Sequence, residues 1–439
     1  MLTRETPKPR IVARTLLALL ALAFVLSLPS QAQSESAIYD FVAPGHDGHT
    51  PNAGVVSDAA GNLYGTTVLG GTHNSGTVFE LSPVTGGGWS ETVIYSFTGG
   101  LDGGAPETPV ILDAAGNVYG TAVLGGSSGQ GVAFELAPTS GGGWHETVLH
   151  SFTGGIDGSG PGSSLVFDVA GNLYGTAEEG GSGGGGTIFE LSPTSRGVWH
   201  FTILHGFSGG TDGRVPYGTL IFDAAGSLYG TTGFGGIAAD CVSRRLNGCG
   251  VVFEFSPVAG GGWHESILHG FTGGHDGAFP LAGLVFDASG NLYGTTYAGG
   301  DTSACITLDS SGCGVVFELS PVTGGGWHET TLHSFTGRVD GGEPDGSVVL
   351  DSSGNVYGNT QQGGNSTLSA CNPNGCGVTY EISPFSGGGW HETVLHAFTG
   401  NSDGTLPVGA LVFNSSGQLF GAAAAAGTYG QGAIFEITP

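Results

Sequence analysis

A seven-residue motif bracketed by glycines recurs along almost the whole chain. It begins as GNLYGTT and returns as GNVYGTA, GNLYGTA, GSLYGTT, GNLYGTT, GNVYGNT and GQLFGAA. The copies are Gly61–Thr67, Gly116–Ala122, Gly171–Ala177, Gly226–Thr232, Gly290–Thr296, Gly354–Thr360 and Gly417–Ala423. Their spacing is 55, 55, 55, 64, 64 and 63 residues. This spacing is in the range of propeller blades and is longer than the period of most helical solenoids.

Each period contains four short runs typical of β-strands. In the second period they are Val110–Asp113, Asn117–Thr121, Val132–Leu136 and Glu146–Phe152. Gly, Pro, Asn and Ser separate the runs, and no 3.6-residue hydrophobic period follows residue 32. Four short antiparallel strands per repeat make one propeller blade, so the sequence predicts an all-β fold.

The two ends of the chain complement each other. The last segment, Gly432–Pro439, matches the third strand of the other repeats and has no fourth strand after it. Near the N-terminus, Ala37–Phe41 (AIYDF) matches a fourth-strand end such as Val148–Phe152 (VLHSF). We therefore predict one domain over residues 33–439, a seven-bladed β-propeller of four-stranded antiparallel blades. The N-terminal strand completes the last blade and closes the ring, which removes exposed sheet edges.

The first 32 residues have the composition of a secretory signal peptide. A basic segment with Arg4, Lys8, Arg10 and Arg14 precedes the apolar run Thr15–Leu28, and Ser30-Gln31-Ala32 fits a cleavage site. No later segment is apolar for long enough to span a membrane, and no C-terminal anchor is seen. We expect a secreted or cell-surface protein.

The charge of the chain limits its partners. Without Met1–Ala32, five basic and 35 acidic residues remain, a net charge of −30, and no lysine is left. Such a surface repels nucleic acid and anionic lipid, and it suits cations, neutral ligands or solubility alone. We expect no nucleic-acid partner, no membrane span after signal removal, and a monomer.

Six cysteines form three close pairs in three different repeats. The pairs are Cys241 with Cys249, Cys305 with Cys313, and Cys371 with Cys376. In an exported protein, local disulfides are the expected state of such pairs. A metal centre would need four soft ligands in one place, which this distribution does not favour.

The repeat resembles a known family. The motif GNLYGTT, the Gly-Gly that follows it, and GTVFELSP at Gly76–Pro83 resemble the GloVer (Gloeobacter–Verrucomicrobia type) tandem repeat of exported bacterial proteins. The resemblance covers nearly all of the chain after residue 32. It implies an extracellular or surface location and supplies no catalytic residues.

An acidic residue recurs in a D-G-x-x-P loop that opens on one face of the predicted ring, here called the first face. The seven copies are Asp47, Asp102, Asp157, Asp212, Asp276, Asp340 and Asp403. We favour an Asp-Gly turn, in which the carboxylate accepts backbone N–H groups. The alternative is a ring of ligand-binding carboxylates around the channel mouth that takes Ca²⁺ or another cation. The favoured prediction is therefore that no cofactor is bound.

A further acidic series lies in the middle of the third strands, with histidines at equivalent positions of the fourth strands. Examples are Glu135 and His150. Because fourth strands are the outer edges of blades, these histidines diverge from one another. We therefore expect a Glu–His or Glu–Thr contact within each blade rather than a shared metal.

Residues that differ between repeats mark where a specific function is expected. Repetition opposes catalysis, which needs different residues at one point. On the first face the candidate ligand-binding residues are Glu178, Glu179, Phe234, His275 and Tyr297. Further irregular positions are His46, Arg214, Phe279, Glu343, Gln361 and Gln362.

Established catalytic motifs are absent from the sequence. It contains no H-E-x-x-H motif, and a Walker loop needs a lysine that the chain lacks after residue 32. The sequence therefore favours a non-enzymatic binding or scaffold protein for an extracellular glycan, peptide or protein. The alternative is an extracellular polysaccharide lyase or glycoside hydrolase that uses acidic or histidine residues at the propeller mouth.

Overall fold

The computed structural model describes residues 33–42, 47–195, 197–236, 241, 248–301, 303, 305, 312–364, 371 and 373–439. Over these residues the protein is built of 30 β-strands and no α-helix. Seven four-stranded antiparallel sheets form the blades, and the strands Gly48–His49 (β2) and Leu69–Gly70 (β5) add a two-stranded sheet. The seven blades stand in a ring, which confirms the predicted propeller.

Each blade repeats the same four strands from the channel outward. The innermost strands are β3 (Val56–Ser57), β8 (Ile111–Leu112), β12 (Val166–Phe167), β16 (Ile221–Phe222), β20 (Val285–Phe286), β24 (Val349–Leu350) and β28 (Thr405–Phe413). The second strands are β4 (Leu63–Thr67), β9 (Val118–Ala122), β13 (Leu173–Ala177), β17 (Leu228–Thr232), β21 (Leu292–Thr296), β25 (Val356–Thr360) and β29 (Leu419–Ala425). The third strands are β6 (Thr77–Pro83), β10 (Val132–Pro138), β14 (Thr187–Pro193), β18 (Val251–Pro257), β22 (Val315–Pro321), β26 (Val378–Pro384) and β30 (Ala433–Thr438). The fourth strands are β7 (Trp89–Ser96), β11 (Trp144–Ser151), β15 (Trp199–Gly206), β19 (Trp263–Gly270), β23 (Trp327–Ser334), β27 (Trp390–Ala397) and, for the last blade, β1 (Ser34–Asp40).

The recurring heptapeptide forms the second strand of each blade and is buried on both faces. In blade 3, Gly175 has no side chain because the ring of Phe189 from the neighbouring strand occupies that space, 2.7 Å from where a Cβ would lie. The hydroxyl of Thr176 donates a 2.8 Å hydrogen bond to the carbonyl of Pro216 in blade 4. The motif thus provides both packing space within a blade and a link to the next blade.

The blades are also joined by aromatic pairs. A phenylalanine that follows the fourth strand of one blade meets an aromatic ring on the third strand of the next blade, as Phe152 meets Phe189 with ring centroids 5.3 Å apart. Both rings are fully buried. Because the pair recurs at every blade boundary, it accounts for the Phe in each fourth-strand sequence.

The N-terminal strand closes the ring as the sequence predicts. β1 pairs with β30 in antiparallel register, with Ser34 opposite Thr438. Phe41, directly after β1, makes the boundary aromatic pair with Phe79 of blade 1, at 5.2 Å. The first and last segments of the described chain therefore share one blade.

Three disulfides lie in the second-to-third-strand loops of blades 4 to 6. The structure joins Cys241 to Cys249, Cys305 to Cys313, and Cys371 to Cys376, with Cα–Cα distances of 5.4, 5.5 and 4.8 Å. These are the pairs that the sequence predicts. Among the described residues, no helix has the length and hydropathy needed to cross a membrane.

Candidate ligand-binding site at the channel mouth

In six of the seven blades the innermost strand is only two residues long, and residues just before these short strands line the cavity at the end of the channel. In blade 3 only Val166–Phe167 has strand geometry, although the chain leaves the D-G-x-x-P loop at Pro161. The residue after this proline is different in every blade. In order, these residues are Asn52, Glu107, Gly162, Tyr217, Leu281, Asp345 and Val408. The residue before the proline also differs in all seven blades, so this segment departs from the sevenfold repeat.

These residues surround a cavity at the first-face end of the channel. Its volume is about 110 Å³, and Asn52, Glu107, Tyr217, Leu281 and Asp345 contribute side chains to its wall. The remaining wall consists mostly of small residues that precede the inner strands, together with Gly409 and Ala410 of β28. We call this cavity the channel mouth.

Glu178 reaches the channel mouth because blade 3 has glycine after its proline. A Cβ on Gly162 would collide with Oε1 of Glu178, so the carboxylate occupies the space that a side chain would take. Glu178 follows the second strand of its blade, and its backbone N–H donates to the carbonyl of Gly160 at 3.0 Å. The absence of a side chain at Gly162 therefore leaves room for the Glu178 carboxylate beside the cavity wall.

On the opposite side, blade 6 supplies a second acid with a fixed partner. Asp345 Oδ2 accepts a hydrogen bond from Nε2 of Gln361, the residue that corresponds to Glu178 in its blade. Asp345 Oδ1 is buried and has no hydrogen-bond partner among the described residues. An unpartnered buried oxygen is unfavourable, so this atom is available to a ligand.

A third group of polar side chains lies beside Asp345. The hydroxyl of Tyr297 donates to Glu343 Oε2 at 2.7 Å, and Nε2 of Gln362 donates to the same oxygen. Glu343 is 8% exposed and has a left-handed backbone, with φ of 56°. Its N–H donates to the carbonyl of Cys313 at 2.8 Å, which ties the loop to the disulfide of blade 5.

Burial and mutual repulsion shift the acids of the channel mouth towards neutrality. Burial raises the pKa of Glu178 to about 7, and the charges of Glu107 and Glu179 add to the effect. Burial also raises the pKa of Asp345 to about 7, with a contribution from Glu343, although the hydrogen bond from Gln361 opposes it. Burial raises the pKa of Glu107 in the same direction. Carboxyl groups with such shifts, gathered in a cleft, are candidates for binding or proton transfer.

The pKa of the tyrosine hydroxyl in the channel mouth depends on the charges of all three acids. Burial raises the pKa of Tyr217, and the charges of Glu178, Glu107 and Asp345 raise it further. One hydroxyl thus couples to acids of blades 2, 3 and 6. These four side chains, Glu107, Glu178, Tyr217 and Asp345, form what we call the mouth cluster.

The repeated aspartates of the D-G-x-x-P loops lie away from the channel mouth. Asp157 accepts the backbone N–H of Thr153 at 3.0 Å and also contacts His150 Nε2 on the outermost strand at 3.1 Å. Equivalent bonds to the backbone or a fourth-strand side chain hold Asp47, Asp102, Asp212, Asp276, Asp340 and Asp403. None of the seven lines the cavity. Their contacts are those of the turn interpretation, while their role as ligand-binding residues stays a prediction.

The fourth-strand histidines take part in contacts between blades, which differs from the contact expected from sequence. In register, Glu135 lies opposite Thr147, whereas His150 lies opposite Ala133 and contacts Asp157. The expected Glu–Thr neighbour is present, but the Glu–His contact is not. His150 pairs with Ala133, two residues before Glu135 on the third strand, so the Glu135 and His150 side chains are not opposite each other.

At each blade boundary the loop aspartate lies between two fourth strands. In boundary 3–4, His205 Nε2 is 3.8 Å from Asp212 Oδ2 and 3.7 Å from Glu265 Oε2 of the next blade. Burial, followed by the charge of Asp212, raises the pKa of Glu265 to about 7. The analogous sets are Tyr39–Asp47–Glu91, Tyr95–Asp102–Glu146, His269–Asp276–Glu329, His333–Asp340–Glu392 and His396–Asp403–Glu35. These acids therefore belong to the blade boundaries.

The remaining sequence candidates are distributed around the first face. Glu179 is exposed, unlike its neighbour in the mouth cluster. The ring of Phe234 packs against Phe279 at 5.3 Å, and Tyr297 joins the same hydrophobic cluster. His275 is exposed, and its carbonyl accepts a hydrogen bond from Thr331 at 3.0 Å. His46 lies outside the described residues.

Sequence reasoning missed Glu107, Tyr217 and Asp345. They lie just after the proline of the loop, between the loop and the run that the pattern assigns to the inner strand. The available signal was that the residues on both sides of this proline differ in all seven repeats, although most of the repeat is regular. A repeat alignment scored for variation would have found it.

Solved structures with a similar chain course include several bacterial and fungal propellers. A putative 6-phosphogluconolactonase from Bacteroides uniformis has 14% identity and a TM-score of 0.49, over 80% of this chain and 86% of that chain. An AA12 carbohydrate-active enzyme from Trichoderma reesei, solved with calcium, has 13% identity and a TM-score of 0.42, over 93% and 96%. A putative oxidoreductase (glucose dehydrogenase) from Thermus thermophilus has 11% identity and a TM-score of 0.39, over 92% and 100%.

A sequence family, by contrast, matches directly. No curated protein sequence matches the chain. The family model of the Gloeobacter/Verrucomicrobia repeat matches residues 23–243 and again residues 241–439. The two matches cover nearly all of the blades described above, so the chain belongs to the Gloeobacter/Verrucomicrobia repeat family.

Proposed function

We propose that this protein is an exported β-propeller that binds an extracellular ligand at the channel mouth. The observation that carries the proposal is the mouth cluster, where Glu107, Glu178, Tyr217 and Asp345 come together from four blades. Contacts elsewhere in the ring recur from blade to blade, as scaffolding must. A selective site needs a concave surface with a few different polar groups directed at one point, and the channel mouth provides both.

Two further observations support export. The three disulfides are typical of proteins that work in an oxidising compartment. The sequence of Met1–Ala32 has the composition of a signal peptide. The ligand is then a molecule of the cell surface or its surroundings.

The size of the cavity limits how much of a ligand it can enclose. A volume of about 110 Å³ is well below the 300–1,000 Å³ of pockets that enclose a whole drug-sized molecule. We therefore infer that the channel mouth receives one end of a ligand, such as a glycan terminus or a single peptide side chain. The rest of the ligand lies on the first face.

The binding proposal is tested with two neighbouring substitutions. The chain 33–439 is purified and applied to glycan and peptide arrays, and hits are titrated against the wild type, Glu178→Gln and Glu179→Gln. Loss of a hydrogen bond to a charged group is worth about 1.5–3 kcal/mol, so Glu178→Gln should weaken binding by about tenfold or more. Glu179→Gln removes the same charge at an exposed site and should change affinity less than about twofold. Equal effects of the two substitutions would contradict a site in the channel mouth.

A second variant tests the same site by occupying it. The leucine in Gly162→Leu displaces the Glu178 carboxylate and fills part of the cavity. The backbone at Gly162 does not require glycine, because its φ lies outside the left-handed region. The protein should fold with unchanged circular dichroism but lose the ligand. Retained affinity in a folded Gly162→Leu protein would place the ligand elsewhere.

An enzymatic function is the second candidate, because the pKa values of Glu178 and Asp345 lie near 7. A carboxyl group with such a pKa is suited to act as a general acid or base at neutral pH, as glycosidases require. Incubation with a polysaccharide panel, followed by assays for reducing ends and for unsaturated products, separates hydrolysis from elimination. Turnover that both Glu178→Gln and Asp345→Asn abolish would establish this candidate. Bound polysaccharides that stay intact would favour the binding function.

A further inference from the structure

We propose that the ligand group recognised in the channel mouth is a primary ammonium. This inference rests on the proposed binding function and specifies the chemistry of its ligand. It follows from the sign of the charges, from the unpartnered hydrogen-bond acceptors and from the spacing of the acids.

The channel mouth concentrates negative charge without a compensating cation. Glu107, Glu178 and Asp345 come from three different blades, and they carry three potential negative charges at one cavity. The only Lys or Arg side chains among the described residues are Arg214 and Arg338, and neither lines the cavity. A bound cation would relieve both the repulsion between the acids and the cost of their burial.

Two buried acceptor oxygens at or near the cavity lack hydrogen-bond partners. They are Asp345 Oδ1 and Gln362 Oε1, both without partners among the described residues, while Nε2 of Gln361 and Nε2 of Gln362 each donate to a carboxylate. An ammonium has three donors and no acceptor, so it matches this set. The ring of Tyr217 in the cavity wall offers an aromatic surface, which also attracts cations.

The spacing of the acids favours an organic cation over a metal ion. Metal ligation requires several ligand atoms close together around one point. Within the described part of the chain, groups of three such atoms within 4.8 Å of one another occur only at the blade boundaries, at Glu35–His396–Asp403 and His205–Asp212–Glu265. The acids of the channel mouth are farther apart than the ligand atoms in these groups. This spacing suits an ammonium on a short alkyl or sugar carbon, whose three N–H donors point in different directions.

Binding of an ammonium should depend on pH through the acids that face it. The titratable residues in the cavity wall are Glu107, Tyr217 and Asp345, and the Glu178 carboxylate lies against Gly162 of the same wall. Glu343, which binds Tyr297, acts on the pKa of Asp345, whereas Glu179 is exposed and does not line the cavity. A cation binds the ionised acids more tightly than the neutral ones. Affinity should therefore rise between pH 6 and pH 8, as acids with raised pKa values lose their protons, and binding should release protons.

The test is a calorimetric titration of chain 33–439 with 1,5-diaminopentane and, as its neutral control, 1,5-pentanediol. We expect the diamine to bind at least about tenfold more tightly at pH 8 than at pH 6, with proton release, and the diol not to bind. Glu178→Gln and Asp345→Asn should each weaken the diamine about tenfold, and Glu179→Gln should not. Glucosamine against glucose, and Nα-acetyl-lysine amide against Nα-acetyl-norleucine amide, then show whether the natural amine is a sugar or a peptide group.

Three results would overturn the inference. They are equal binding of diol and diamine, tighter binding of Ca²⁺ than of diamine at the channel mouth, and no diamine binding at either pH. If a neutral glycan binds in a Glu178-dependent manner while amines do not, the ammonium inference fails and the binding function stands. If neither arrays nor amines give a ligand that depends on Glu178, both fail.

Discussion

The acids between blades make a specific prediction about stability, which is sharpest for Glu265. This residue contributes its carboxylate to boundary 3–4, where Asp212 supplies a second negative charge and His205 lies 3.7 Å from Glu265 Oε2. Burial of the His205 ring lowers its pKa, so the histidine is largely neutral at pH 8. At that pH the boundary therefore contains two ionised acids without a cation. Replacing Glu265 by Gln removes one charge, keeps the shape, and adds an N–H donor towards Asp212.

The expected change in the free energy of unfolding follows from the raised pKa of Glu265. Burial and Asp212 raise the pKa of Glu265 from 4.5 to about 7. At 1.36 kcal/mol per pKa unit, ionisation in the folded state would cost about 3 kcal/mol if the site were dry. The side chain is 17% exposed, and water screens the charge, so we expect about 1 kcal/mol. A raised pKa in the folded state means that this group's contribution to stability is fully present below pH 4.5 and is lost as the pH rises through 7.

Urea unfolding followed by tryptophan fluorescence at pH 5 and pH 8 measures the effect. Glu265→Gln should be more stable than the wild type by about 1 kcal/mol at pH 8, and this advantage should shrink to less than about a third at pH 5. Glu265→Phe is a second variant for comparison, because blade 3 has Phe201 at the equivalent position. The Phe201 ring stacks on the ring of His150, with the two ring centroids 3.7 Å apart. A Gln variant that is less stable at pH 8, or a gain that does not change with pH, would refute the reasoning.

Three further outcomes test the ring. Thr176→Val removes a buried donor and leaves the Pro216 carbonyl unpaired, so it should lower the free energy of unfolding by about 1–3 kcal/mol in urea titrations. Gly175→Ala forces a methyl group into the Phe189 ring and should cost about 1–3 kcal/mol by the same assay, whereas alanine at a solvent-facing turn should not clash. Deleting residues 33–42 exposes the edge of the last blade, so size-exclusion chromatography should show association or unfolding. Attaching the same segment after the C-terminus should restore a folded ring. A stable monomer after simple deletion would contradict closure by this strand.

The repeated features of the protein were accessible from its sequence. The period predicted the number of blades, the mismatched ends predicted closure by the N-terminal strand, and the local cysteine pairs predicted the disulfides. These predictions succeeded because each depends on neighbouring residues in the chain or on a pattern that the chain repeats seven times. The heptapeptide is the clearest case, because in every copy its second glycine packs against an aromatic ring at the equivalent position of the next strand.

The candidate site was only partly accessible, because it depends on residues that no local pattern joins. Glu178 was identified as an irregular residue, but Glu107, Tyr217 and Asp345 lie between the loop and the predicted inner strand and were not singled out. Only closure of the ring brings positions from blades 2, 3, 4 and 6 to one cavity. Tertiary structure also decided where the repeated loop aspartates point, since each bonds to its own turn and to an outer strand. The sequence by itself determined the scaffold through repetition, and the tertiary structure decided the site, because the burial and charge of the mouth cluster exist only once the ring is closed.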